Sequence, residues 1–320
     1  MSAEQQFLVT GAYGCIGSWA VRLLLDEDCG VTTYDLGGSD HRLRLLLDDA
    51  ELAALDRVAG DVTDLNQLRG TIEDRGVTHV IHLAALQVPF VRADPPLGAR
   101  VNVVGTVTVF EAVRAAALAS SLTYASSVAA YDPPEPGHEH EQRGVPSTLY
   151  GVFKRANEET AGVYWADHGI ASVGLRPHTV YGLGRDQGVT SAPTKAMLAA
   201  AAGTAYRIPY GGRAEFQHAR DVARQFIAAS RATVAGALVL DPPGQPASIA
   251  DVVDAIVQTA PEADVGFDDV VGVGVPEQGD TASFIELLGD LPTIPLREGV
   301  AETIQSFRGL LARGLVKPEA

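Results

Sequence analysis

Cysteine is nearly absent from this chain of 320 residues: the two present, Cys15 and Cys29, belong to no metal-ligand spacing or disulfide framework and are expected to be small buried residues. Positive charge is also scarce. Lys and Arg number 24 against 40 Asp and Glu, a formal net charge of -16. An acidic surface of that size repels phosphate backbones and anionic lipid, which excludes nucleic acid and membrane surfaces as expected partners while leaving room for a local cationic pocket. No stretch approaches the roughly 18 apolar residues of a membrane span, and the N-terminal "MSAEQQ" is polar, without a basic region followed by an apolar run. The chain therefore reads as soluble and cytoplasmic. No internal repeat is visible, and a hydrophobic share of 46% with 20% charged residues gives no bias to disorder.

What is present is alternation. Short apolar runs and helical patterns follow one another through the first half: "QFLVT", "IGSWAVRLLLDED", "GVTTYD", "DLNQLRGTIEDRG", "HVIHLAA", "GTVTVFEAVRAAALA", "LTYASS". Strands alternating with helices of this length predict an α/β fold, a Rossmann-type doubly wound parallel sheet covered on both faces. "IASVGLRP" adds a further strand ending at Pro177, and beyond it the rhythm weakens into Gly- and Pro-rich loops, a helix at "DVARQFIAASRA" and a strand at "ALVL". The expected division is a cofactor domain of residues 1–180, with 215–242 returning to it, and a smaller C-terminal substrate-binding cap of 181–214 and 243–320. Residues 132–146, "DPPEPGHEHEQRGVP", form a long polar loop; its His138, Glu139, His140 and Glu141 alternate sides of an extended segment, so a solvated loop is expected there and not a metal site.

After the first strand comes "TGAYGCIG", with Gly11, Gly14 and Gly17 three residues apart. Glycines so placed between a strand and a helix let the backbone turn tightly, approach a pyrophosphate and aim helix N-terminal amides at it. Asp35 ends the second strand 18 residues after Gly17, where a carboxylate accepts from ribose hydroxyls and repels a 2'-phosphate. The expected cofactor is NAD. In "STLYGVFKRANEE", Tyr150 and Lys154 stand at i and i+4, on one helical face, so phenol and ammonium can reach one point in space.

Together with "GDVTD" (60–64), "HLAA" (82–85), "NVVGT" (102–106), "YASSVAAY" (124–131), "YGVFK" and "RPHTVYG" (176–182), these motifs resemble the extended short-chain dehydrogenase/reductase superfamily, and in particular its NAD-dependent epimerase/dehydratase family, over nearly the whole chain. The resemblance implies catalytic roles for Ser127, Tyr150 and Lys154. It implies cofactor contacts from Gly11, Gly14, Cys15, Ile16 and Gly17, from Asp35, from Asp61 and Val62 beside the adenine, from Leu83, Ala84 and Ala85 along the pyrophosphate channel, and from Asn102, Tyr150, Lys154 and Pro177. Lys154 would hold the nicotinamide ribose and lower the phenol's pKa from its free value near ~10, so that Tyr150 could act as acid and base while Ser127 steadies the reacting oxygen.

Substrate contacts are expected from Gln87, Ser127, Ala129, His178, Thr179 and Arg185, the last offering paired donors to a carboxylate or phosphate. His218 is expected to brace the cap. Where dehydratases of the family carry Asp-Glu after the serine, this chain has Val128 and Ala129, which argues against water elimination. Thr179 and Ala214 replace an Asn and an Arg that contact a nucleotide-sugar diphosphate in the family, although Arg213 stands next to the second position. The expected function is an NAD-dependent oxidoreductase moving hydride between the nicotinamide and a secondary alcohol or ketone of a small sugar-like or hydroxy-acid substrate. A nucleotide-sugar epimerase that retains its NAD is the alternative, and a non-catalytic NAD-binding sensor the second. A homodimer paired through the helices of "TVTVFEAVRAAALA" and of Tyr150 is implied as well.

Overall fold

The computed structural model describes residues 5–118, 122–131, 144–270 and 281–317. Twelve strands are present among them: β1 Gln6–Thr10, β2 Gly30–Asp35, β3 Asp56–Ala59, β4 His79–His82, β5 Leu122–Ala125, β6 Ser172–Leu175, β7 Thr179–Tyr181, β8 Tyr206–Ile208, β9 Arg213–His218, β10 Ala237–Leu240, β11 Gln245–Ser248 and β12 Val265–Phe267. Seven form one sheet in the order β10-β6-β5-β4-β1-β2-β3, every pair parallel. Helices lie on both faces, as the continuous burial of "FLVT" and "SVGL" requires of strands covered on two sides. The doubly wound fold is therefore the one the alternation predicts.

The strand β3, "DRVA", fits no apolar run; it is an edge strand, half-exposed, with Arg57 and Asp56 on it. Cys15 and Cys29 are half-buried, not buried: Cys15 opens the helix Cys15–Asp26 and Cys29 stands just ahead of β2. The strand β10 lies beside β6, and the helix Ala219–Arg231 packs on the helix Cys15–Asp26. A three-stranded sheet β11-β9-β7, a two-stranded pair β12-β8 and the helices Ala192–Ala202, Ile249–Thr259 and Leu296–Ala312 make up most of the remainder. Among the described residues no helix is long and apolar enough to cross a membrane. His138, Glu139, His140 and Glu141 lie outside the described residues.

Strand order reverses between β1 and β4, which run side by side with Thr10 opposite His82. At such a switch the helices leave to opposite faces and a crevice opens beyond the carboxyl ends of the strands. The glycine loop, "LAA" of residues 83–85, Ser127 and Pro177 all follow the carboxyl ends of β1, β4, β5 and β6.

Candidate active site

Glycine is required in the first loop by the space available. Gly11 has φ +68°, and a Cβ there would lie 2.6 Å from Ala84 N; a Cβ on Gly17 would lie 2.2 Å from Gly11 O. The turn after β1 therefore passes against the segment after β4 and packs beneath the first turn of the helix Cys15–Asp26. Gly14 caps that helix without a side-chain bond, leaving its first amides for another acceptor. Asp35 stands beside them, its Oδ2 accepting from Tyr13 N at 3.0 Å. Burial pushes the Asp35 pKa up, against the pull of the Tyr13 and Leu36 amides and of Arg42. The chain's own residues thus fit a dinucleotide: backbone donors for the diphosphate and a carboxylate for the ribose.

Tyr150 and Lys154 lie near the start of the helix Leu149–His168. Thr148 caps it, accepting from Gly151 N at 3.1 Å. A Cβ at Gly151 would meet Ala129 O at 2.0 Å, so the helix begins against the 3-10 turn Val128–Ala130 and brings Tyr150 beside Ser127. Lys154 is 3% exposed; its Nζ donates to Ala125 O at 2.6 Å and stands 5.6 Å from the Tyr150 ring centroid. It is one of three lysines in the chain. Burial pushes its pKa down to about 8, with Glu158 holding it up.

The expected tuning of the phenol takes a different form. Burial pushes the Tyr150 pKa up, and the groups pulling it down are the Ser127 hydroxyl and the Arg185 guanidinium. Lys154 directs its ammonium at a carbonyl oxygen instead. The i, i+4 spacing placed the two side chains on one face, as expected, but partner choice followed the loop after β5.

A cleft of about 670 Å³ joins these parts, walled among others by Gly11, Gly14, Cys15, Ile16, Gly17, Leu83, Ala85, Gln87, Ser127, Ala129, Tyr150, Lys154, Pro177, His178, Thr179 and Arg185. Asp35, Asp61, Val62, Ala84 and Asn102 are not in its wall. Ala84 turns its backbone to Gly11; Asp61 accepts from Thr63; Val62 is buried under Gly105. Asn102, in a π-helical turn at Arg100–Val104, clamps Leu86 by accepting from its N at 2.7 Å and donating to its O at 2.9 Å, which fixes the segment after β4. Among the described wall residues there is no Asp or Glu, while Arg92, Lys154 and Arg185 supply cations. In a chain of net charge -16 this is a local reversal of sign.

Arg185 donates from Nη2 to Thr190 Oγ1 at 3.0 Å, and among the described residues its Nε and the nearby Gln87 Oε1 meet no partner. His178 takes Gln217 Oε1 on its backbone N at 2.9 Å; its ring, 3.9 Å from Glu215, is pushed down to about 4 by burial and is neutral at pH 7. Thr179 also lines a small cavity with Tyr210, Arg213 and Ala214. His218 is buried, and its Nδ1 accepts from Arg220 N at the start of a helix.

Several participants carry no signal of their own in sequence. Arg92 reaches the wall from the short helix Val88–Ala93. His82 is held between Thr10 Oγ1 at 2.7 Å and Thr106 Oγ1 at 3.1 Å. Glu158, two turns past Tyr150, pairs in bidentate fashion with Arg176 at 2.7 Å on both oxygens and accepts from Ser126, while Asp241 takes the other side of the guanidinium at 3.4 Å. Each bond joins residues far apart in the chain, so only a spacing to an unknown partner could have suggested it.

A nucleotide-binding crevice at a strand-order switch, with Ser, Tyr and Lys converging on its mouth, defines a dinucleotide-dependent short-chain fold. The sequence model of the NAD dependent epimerase/dehydratase family matches residues 7–239. The chain belongs to that family, and its cofactor is NAD. It is 30% identical to a UDP-glucose 4-epimerase of Mycolicibacterium smegmatis over 94% of this chain and 98% of that protein. It is 32% identical to UDP-glucuronate 4-epimerase 2 of Arabidopsis thaliana over 55% of this chain, a match spanning 42% of that plant protein's length. The crystal structure of MoeE5 in complex with UDP-glucuronic acid and NAD superimposes with a TM-score of 0.77 at 27% identity, covering 95% of this chain and 99% of that one.

Proposed function

We propose that this chain transfers a hydride reversibly between NAD and a secondary alcohol or ketone of a small, anionic, sugar-like or hydroxy-acid molecule. The observation that carries the reading is that Ser127, Tyr150 and Lys154 line one wall of the crevice opened by the glycine loop, with the Ser127 hydroxyl close enough to Tyr150 to pull its pKa down. The first-turn amides after Gly14 would hold the diphosphate, Asp35 the adenosine ribose and Lys154 the nicotinamide ribose. Bound NAD supplies the hydride acceptor. Tyr150, as the phenolate that the Arg185 guanidinium favours, then takes the substrate's hydroxyl proton, and Ser127 holds the same oxygen and donates to it in the reverse direction. Arg185, with paired donors and a free Nε, anchors the substrate's negative charge beside the reacting carbon. In this proposal residues 1–180 with 215–242 bind the cofactor, and 181–214 with 243–320 form the substrate-binding cap.

A second reading is favoured by the relative matched along its full length: epimerisation of a nucleotide sugar, the same hydride leaving and returning with NAD held throughout. The test mixes protein and NAD with sugars, sugar acids and polyols, following NADH absorbance, beside UDP- and dTDP-sugars followed by chromatography. Growth of NADH establishes the dehydrogenase; interconversion without NADH establishes the epimerase. NAD binding with neither reaction, unaltered in Tyr150→Phe, would leave a sensor. A cytoplasmic location and a homodimer are part of the proposal; the dimer is supported by exposed Leu149, Val152 and Val163 on the helix of Tyr150 and by exposed Val104 in the turn just ahead of the other helix. Sedimentation as a monomer would exclude it.

A further inference from the structure

Residues 183–188 leave β7 and cross back over the glycine loop. They are pinned there from the helix below: Trp19 Nε1 donates to Leu183 O at 3.0 Å, and the Cys15 thiol approaches the same oxygen at 3.8 Å. Asp186 is pinned from the other side. Its Oδ1 accepts from Arg42 Nη2 at 2.6 Å and from Arg42 Nε at 3.0 Å, and its Oδ2 pairs with His41 Nε2 at 2.7 Å. Arg42 also donates from Nε to Gly184 O at 3.1 Å and from Nη1 to Tyr13 O at 3.0 Å. Tyr13 in turn gives its amide to Asp35. One guanidinium therefore ties together the glycine loop, the loop after β7 and, through Tyr13, the ribose-side carboxylate.

The residue beside Asp186 is Arg185, whose guanidinium stands in the wall of the reaction cleft. Beneath the crossing a second cavity of about 230 Å³ is bounded by Gly14, Cys15, Arg42, Gln87, Gly184 and Arg185, so the space next to the glycine loop is roofed by this segment. The Asp186 side chain is 39% exposed and that of Arg42 13%. A charge-assisted pair at the surface is strong enough to hold a loop and exposed enough to open without disturbing the core.

We propose that Asp186, clasped by Arg42 and His41, is a positioning residue: it holds the Arg185 loop onto the dinucleotide half, so that anchoring the substrate and retaining NAD depend on one contact. The inference rests on the proposed reading of the cleft as an NAD and anionic-substrate site. Opening the clasp frees Arg185 and the roof together. Because the pair is partly solvated, salt weakens it.

The experiment compares wild type, Asp186→Ala and Asp186→Glu by three readouts: amide hydrogen exchange of residues 183–188 without cofactor, the rate at which loaded NAD is displaced by excess labelled NAD, and KM against kcat. In Asp186→Ala exchange and NAD release rise about tenfold or more and KM rises by a similar factor, the scale of one lost charge-assisted contact, while kcat moves little. Asp186→Glu, which keeps a carboxylate within reach, recovers most of both. Salt at about 0.5 M speeds NAD release from wild type and not from Asp186→Ala. Unchanged exchange and unchanged NAD release in Asp186→Ala overturn the clasp; faster exchange with unchanged release overturns its link to the cofactor. Failure of the functional reading shows separately, as a wild-type protein that binds no NAD.

Discussion

Ser126 and Ser127 are neighbours in the chain that serve two different buried clusters. Ser126 donates to Glu158, which is paired with Arg176, itself shared with Asp241; the side chains of these three charged residues are 5%, 6% and 7% exposed, in that order. Ser127 stands beside Tyr150 and pulls its pKa down, and the cation there, Lys154, has a backbone carbonyl as its partner. Both clusters draw on one helix, since Tyr150, Lys154 and Glu158 follow at i, i+4 and i+8 on one face. In the first cluster each charge meets an opposite charge, which suits a structural brace. In the second a buried ammonium meets no carboxylate directly among the described residues, and burial pushes its pKa down to about 8. Matched charges hold the frame, and the mismatched one stands ready for a ligand.

The comparison breaks most sharply at Tyr150. Removing its hydroxyl in Tyr150→Phe should lower turnover by ~10²–10⁴-fold, while NAD titration and the urea midpoint stay near wild type. Arg176→Leu is the converse. It takes the guanidinium away from the buried Glu158 and Asp241 and should remove ~3–5 kcal/mol of stability, read by urea unfolding; a midpoint within error of wild type would show that the brace carries no weight.

Lys154→Met separates function from stability. The folded pKa, about 8, lies below the ordinary 10.5, so between those values the unfolded chain binds more protons and wild-type stability rises with pH. Below pH 8 the burial penalty is fully present. The variant should then abolish turnover yet gain ~1–3 kcal/mol at pH 7 in cofactor-free protein, a gain reduced by the donor lost to Ala125 O and vanishing by pH ~10.5. A variant less stable at pH 7 and unchanged in its pH profile would mean that the ammonium is stabilised where it lies. The smallest effect is expected at the cap shared by both clusters: Thr148→Ala should cost ~1 kcal/mol with both sets of side chains still in place, seen as a modest fall in urea midpoint.

Much of the frame was legible because its causes are local. Strand and helix announce themselves by period, and Gly17 is a glycine because a Cβ would collide with Gly11 O, six residues back. The Tyr150 and Lys154 spacing is a property of any helix. The edge strand β3 was not legible, since half-exposed edges lose the apolar pattern. Nor was the pull on the phenol, because Arg185 lies on a loop 35 residues further on, and the same holds for Asp186, 144 residues from Arg42.

The sequence by itself determined the doubly wound sheet, the glycine loop, the acidic end of β2 and the shared helical face of Tyr150 and Lys154, because periodicity, turn sterics and i, i+4 geometry act within a dozen or so residues. Tertiary structure alone decided which partner each charge would find. An ion pair is fixed by where two distant segments meet in a low-dielectric interior, and no spacing along the chain encodes that meeting. That is how Lys154 came to face a carbonyl, Arg176 two carboxylates, and an acidic protein a cleft whose described walls hold no acid.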